Sequence, residues 1–74
     1  MPGLPVISGR KAVRAFERAG WVISRQKGSH VIMLKQGSIV SLSIPQHREL
    51  APGTLRALIR ASGLTVEEFS GLLD

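Results

Sequence analysis

The stretch Trp21-Val22-Ile23-Ser24-Arg25-Gln26-Lys27-Gly28-Ser29-His30-Val31-Ile32-Met33-Leu34-Lys35 decides the fold. Two runs rich in β-branched and apolar residues flank a Lys-Gly-Ser step, a pattern that predicts two antiparallel strands joined by a tight turn. The strands are expected over residues 21–26 and 30–35, with the turn at 27–29. The second run is apolar at consecutive positions, so periodicity leaves its core face open. Gln36-Gly37-Ser38 reads as another hairpin turn and residues 39–44 as a third strand. There Val40, Leu42 and Ile44 alternate with Ser41 and Ser43, as expected of a sheet with one wet face. Pro45 should end the strand, because it has no N–H for the ladder.

Helices are predicted on both sides of these strands. Ser8 is a good N-cap, Ala12, Val13, Phe16 and Ala19 form one apolar stripe, and Gly20 supplies a left-handed stop. The first helix should therefore cover residues 9–19. Pro2 and Pro5 around Gly3 and Leu4 make an extended leader before it. After the linker Gln46-His47-Arg48-Glu49-Leu50-Ala51, Pro52 suits the first turn of a second helix, whose stripe is Leu55, Leu58 and Ile59 and whose stop is Gly63. Thr65 and Glu68 have capping-box spacing and open a short third helix carrying Val66, Phe69, Leu72 and Leu73. The expected fold is α+β, a two-layer α-β-β-β-α arrangement in one domain over residues 1–74. Its three-stranded antiparallel sheet carries helices on one face and a short C-terminal helix follows. Double-stranded-RNA-binding domains share that order of elements, an analogy of fold and not of function.

At 74 residues the core is thin, and with no cysteine neither a disulfide nor a thiolate zinc site supplements it. No apolar run approaches the roughly 20 residues that span a bilayer. The beginning of the chain has no charged segment leading into an apolar one, which argues against a signal peptide. A cytoplasmic protein without membrane contact is expected. Ten lysines and arginines against five acids give a net charge of +5. All ten lie in residues 1–64 with only Glu17 and Glu49 against them, a net +8, whereas residues 65–74 hold Glu67, Glu68 and Asp74. A basic body of this kind favours a polyanion, and in a cytosol that is most often nucleic acid.

The same counts direct the chemistry. Two-metal phosphoryl transfer needs converging carboxylates, which the basic body lacks, and His30 with His47 has no third ligand in view. No cofactor is expected. Cleavage of RNA without a metal asks for less. The 2′-hydroxyl is the nucleophile, and the protein supplies proton transfer and cations around the developing phosphorane charge. His30 can give and take protons near neutrality, Arg25, Lys27 and Lys35 can supply the positive field, and Gly28-Ser29 lets backbone approach a phosphate closely. The residues alone leave two readings of His30 open, a half-buried packed ring and a proton-transfer group. His47, beside Arg48, is either an exposed loop histidine or a second proton-transfer or substrate contact. Arg10, Arg14 and Arg18 on the first helix and Arg56 and Arg60 on the second repeat every four residues. Either row suits phosphates or a solvated face, and the second, near a positive helix end, is the better phosphate candidate.

These residues resemble those of a known family. Ala19-Gly20-Trp21, Arg25-Gln26-Lys27-Gly28-Ser29-His30, Ile44-Pro45-Gln46-His47, Leu50-Ala51-Pro52-Gly53-Thr54-Leu55-Arg56, Ala61-Ser62-Gly63-Leu64 and Glu67-Glu68-Phe69 look like the HicA toxins of type II toxin–antitoxin systems, over essentially residues 8–73. The resemblance implies a fold similar to double-stranded-RNA-binding domains and metal-independent cleavage of messenger RNA. It makes His30, the histidine of the Gly-Ser-His motif, catalytic, and it implies a HicB antitoxin that covers this region. Alone the protein would be a monomer, and with its antitoxin a hetero-oligomer. Arg25, Lys27, Gly28, Ser29, Lys35, His47, Arg56 and Arg60 are the expected RNA-binding or charge-stabilising residues. Many relatives carry an aromatic residue shortly after the histidine and an aspartate in the hairpin turn. This chain has Met33-Leu34 and Gln36-Gly37-Ser38 instead. The competing expectations are a non-catalytic RNA-binding module and an adaptor acting only through its protein partner.

Overall fold

A computed structural model describes residues 3–74; Met1 and Pro2, part of the expected leader, lie outside the described residues. The elements follow in the order α1 (Gly9–Arg18), β1 (Val22–Lys27), β2 (His30–Leu34), β3 (Leu42–Pro45), α2 (Pro52–Ser62) and α3 (Val66–Ser70). This is the expected α+β order. The Ser8 hydroxyl accepts from the Lys11 N–H at 3.1 Å and so caps α1. At the other end Gly20 has φ +99, its N–H reaches the Glu17 carbonyl at 3.0 Å, and the Trp21 N–H reaches the Phe16 carbonyl at 3.0 Å. That pair of bonds closes the helix by a Schellman motif and delivers Trp21 straight into the core.

The sheet is antiparallel in the order β1-β2-β3. The β1–β2 turn has only two residues, with Gly28 at φ +61 in the first central position, as in the II′ class that matches strand twist. Lys27 therefore ends β1 instead of belonging to the turn. The third strand differs more. Residues 39–41 are not strand, Ile39 is fully exposed and Val40 is 44 % exposed, so the expected Val40-Leu42-Ile44 face keeps only Leu42 and Ile44. The cause is local. Ser38 Oγ accepts from the Val40 N–H at 3.2 Å and donates to the Val40 carbonyl at 3.1 Å. Both backbone groups that would extend the ladder are thereby engaged. Pro45 is itself the last residue of β3, where an edge strand tolerates a missing N–H.

Helices cover one face of the sheet. Val31 and Met33 of β2 and Leu42 and Ile44 of β3 are buried there with Phe16 of α1 and Leu55 and Ile59 of α2. Every residue of β1 is exposed, so that strand lies outside the covered area. Pro52 starts α2 and Gly63, at φ +82, ends it. The Thr65–Glu68 capping box forms with both bonds made, at 3.0 Å and 2.9 Å. It holds α3 so that Phe69 meets Phe16 with ring centroids 4.9 Å apart, both rings fully buried. No helix among the described residues is long and apolar enough to cross a membrane.

Candidate active site

Antiparallel partners project to the same side of a sheet, so the register distributes the chemistry between faces. In β2 the buried positions are Val31 and Met33, which puts His30, Ile32 and Leu34 on the face without helices. His30 pairs with Lys27 on one side and Pro45 on the other; Ile32 pairs with Arg25 and Ser43. His30 therefore stands on the central strand of the open face, exposed, with Lys27 directly across and Arg25 one row along on the same strand and face. A bulge at Ser24 shifts the phase of β1, so that Ile23 pairs with Met33 of the covered face while Arg25 and Lys27 both lie on the open one. The packed-ring reading of His30 does not survive this placement.

The corner around His30 is fixed by backbone. The Gln46 N–H donates to the Ser29 carbonyl at 2.7 Å, and Gln26 Nε2 donates to the Gly28 carbonyl at 3.2 Å. Both ends of the Gly28-Ser29 turn are thus held while its solvent side stays open. A side chain at Gly9 would force the backbone to shift, because a Cβ there would lie 1.9 Å from the Pro45 carbonyl oxygen. The Gly9 N–H meanwhile donates to the His47 carbonyl at 3.0 Å. The first residue of α1 therefore presses on the strand end that pairs with His30 and on the loop that carries His47. A glycine directly after an N-cap, where better helix formers abound, was the only sequence signal of this contact.

The structure gathers some of the expected site residues and separates others. Lys27, Gly28, Ser29, His30 and Arg25 share one end of the open face, and exposed His47 follows two residues after Pro45. Lys35 does not join them. It lies past Leu34 at the far end of β2, and its side chain runs across Gly20. Arg56 and Arg60 are exposed on α2, in the helical layer behind the sheet. With Ile59, Leu64, Thr65 and Val66 they line a shallow depression of about 220 Å³. Of the two residues standing in place of an aromatic, Met33 is fully buried in the core and Leu34 is exposed. Beside the His47 loop a depression of about 270 Å³ is lined by Val6, Ile7, Ser8, Lys11, Arg48 and Glu49. Lys11 and Arg48 are the cations on its wall. Among the described residues no group of three or more histidines, cysteines or acids is placed to hold a metal ion.

Arranged this way, the corner offers an accessible imidazole, two cations on the same face, and backbone open to a close ligand. That suits a phosphodiester whose charge grows during reaction. Comparisons with known proteins agree on the kind of molecule. No curated protein sequence matches the chain. Among solved structures, one described as a toxin–antitoxin complex from Streptococcus pneumoniae matches with a TM-score of 0.70 and 34 % identity, covering 78 % of this chain and 98 % of that one. The family described as the HicA toxin of bacterial toxin–antitoxin systems matches residues 9–64, from the first residue of α1 to just beyond α2. The chain belongs to the HicA toxin family.

Proposed function

We propose that this toxin is a metal-independent endoribonuclease acting on messenger RNA, with His30 as its proton-transfer group. The observation that carries the reading is the exposed position of His30 on the open face, across from Lys27 and near Arg25. In the reaction the 2′-hydroxyl attacks the adjacent phosphorus and the P–O5′ bond breaks. One proton leaves the 2′-oxygen and one reaches the 5′-oxygen, giving a 2′,3′-cyclic phosphate and a 5′-hydroxyl. His30 carries one of these transfers, a role suited to imidazole near neutral pH. Lys27 and Arg25 stabilise charge on the phosphorane oxygens, and the Gly28-Ser29 turn lets the phosphate approach. His47 contacts the substrate or carries the second transfer, and Arg56 and Arg60 assist RNA docking away from the cleaved bond. DNA, lacking the 2′-hydroxyl, is not a substrate.

A HicB-type antitoxin is the proposed partner. The matched solved structure is described as a toxin–antitoxin complex. On the open face here, the paired residues Val22 and Leu34 are 61 % and 46 % exposed, with Ile39 and Val40 exposed on the adjoining loop. Apolar residues grouped in this way mark interaction surfaces, and a protein seated on them would lie over the same face as His30. The test is growth on induced expression. The wild-type chain arrests growth, His30→Ala does not, and co-expressed antitoxin relieves the arrest. Arrest by a folded His30→Ala protein would point to a non-catalytic RNA-binding toxin and refute the assignment.

A further inference from the structure

The outer face of α1 carries Arg10, Lys11, Arg14 and Arg18, all exposed, with Glu17 as its only acid. Two of these cations already hold an anion. Arg18 Nη2 donates to Asp74 Oδ1, and Arg14 Nη2 lies 3.5 Å from Asp74 Oδ2. Arg18 Nη1 also donates to the Leu72 carbonyl at 2.7 Å, which fixes the approach of this segment to the helix. One carboxylate thus bridges a turn of α1 with one oxygen to each guanidinium. A phosphodiester likewise offers two non-bridging oxygens as acceptors for guanidinium N–H groups. The surrounding field is strong enough to register on the carboxylate. Hydrogen bonding from Arg18 foremost, with the charges of Arg18, Arg14 and Lys11, holds the Asp74 carboxyl below its usual value.

The row also begins beside the end of β3 that pairs with His30. Gly9 is bonded to the His47 carbonyl and abuts Pro45, the strand partner of His30, and Arg10 is the next residue. From Arg10 to Arg18 the helix rises about 12 Å. α1 lies in the helical layer and His30 on the opposite face, so an RNA strand reaches both by rounding the His47 loop at the end of β3. The far end of the arginine row is closed by the chain's own carboxylate.

We propose that Arg10, Arg14 and Arg18 form a second RNA-phosphate site in the helical layer, reached from the His30 corner around the end of β3, and that Asp74 occupies its far end in competition with the phosphate. This rests on the ribonuclease reading above. Both partners of the ion pair are more than 40 % exposed, so the carboxylate is held weakly and an RNA phosphate displaces it. Asp74 restrains affinity without closing the active site.

The test uses the full chain with His30→Ala, so that RNA stays intact, and a fluorescently labelled single-stranded RNA of mixed sequence. Binding is followed by anisotropy from about 50 to 200 mM salt. Adding Asp74→Asn should tighten binding about 2- to 5-fold and steepen the log–log salt dependence by about 0.7 for each further phosphate neutralised. Arg14→Gln with Arg18→Gln should weaken binding and flatten the slope by about 0.7 to 1.4, and Asp74→Asn should then bring no tightening. Glu67→Gln, the same charge change on exposed α3, should leave the slope unchanged. The proposal fails if Asp74→Asn matches Glu67→Gln, or if its tighter binding survives loss of both arginines. Absence of RNA binding by the His30→Ala parent would overturn the ribonuclease reading as well. Binding by the parent that none of the α1 variants alters would overturn the second site alone.

Discussion

Gly9→Ala probes how the fold holds the His30 corner. The added Cβ would stand 1.9 Å from the Pro45 carbonyl oxygen, 2.9 Å from its carbon and 3.0 Å from Gln46 Cα. All three are backbone atoms, so no rotamer change relieves the overlap. Ordinary contact begins at 3.4 Å, so relief means moving α1 from the end of β3 by about 1.5 Å, a backbone shift of the kind overpacking forces. That movement stretches the 3.0 Å bond from the Gly9 N–H to the His47 carbonyl. Overpacking costs about 1–3 kcal/mol and the weakened bond about 1 more, against up to about 1 kcal/mol of stabilisation from alanine's helix propensity. The net is a loss of about 1–3 kcal/mol, and in a domain of this size Tm falls by at least about 4 °C. Thermal and urea unfolding followed by circular dichroism measure it. Gly53→Ala is the control, since a Cβ in that part of α2 meets nothing within 4 Å. Its Tm should hold or rise by a few degrees. If Gly9→Ala melts at or above wild type, α1 does not abut Pro45 as described and the anchoring of the His30 corner is wrong.

Two further changes test other parts of the structure. Phe69→Ala removes the buried α3 ring that packs against Phe16, at about 3–5 kcal/mol, and should lower Tm by at least about 12 °C; a drop under about 4 °C would mean that α3 is not docked. Asp74 should titrate below the usual carboxylate range because of Arg18, with Arg14 and Lys11 adding to the effect. A depressed folded value means the contact contributes fully above the unfolded pKa and is lost as pH falls through the folded one. The Asp74 carboxyl resonance in an NMR pH titration reads this directly, and an unshifted midpoint would contradict the ion pair.

The helices were legible because their stop and start signals are local. Gly20 and Gly63 take the positive φ that a left-handed stop requires, and Ser8 and Thr65 make their capping bonds within three residues. The β1–β2 hairpin was legible for the same reason, through Gly28. The start of β3 was not. Ile39 and Val40 have strand-like side chains, and Val40 alternates in phase with Leu42 and Ile44, but Ser38 captures the Val40 backbone two residues away. The phase of β2 was hidden by its consecutive apolar residues. Only the cover of helices over Val31 and Met33 turns His30 outward. Lys35 looked like a neighbour of His30 by composition, but strand length carries it to the opposite end. The Arg14–Asp74 and Arg18–Asp74 pairs join residues more than fifty positions apart, where no local pattern reaches.

The ribonuclease reading depends on the exposed imidazole of His30 moving a proton during RNA cleavage. The cleavage rate of labelled messenger RNA by wild type and His30→Ala tests this, with both proteins shown to melt alike and bind RNA alike. The variant should be slower by about 10²- to 10⁴-fold, and wild-type cleavage should be unchanged by a chelator. A His30→Ala protein that cleaves within a few-fold of wild type would contradict the assignment.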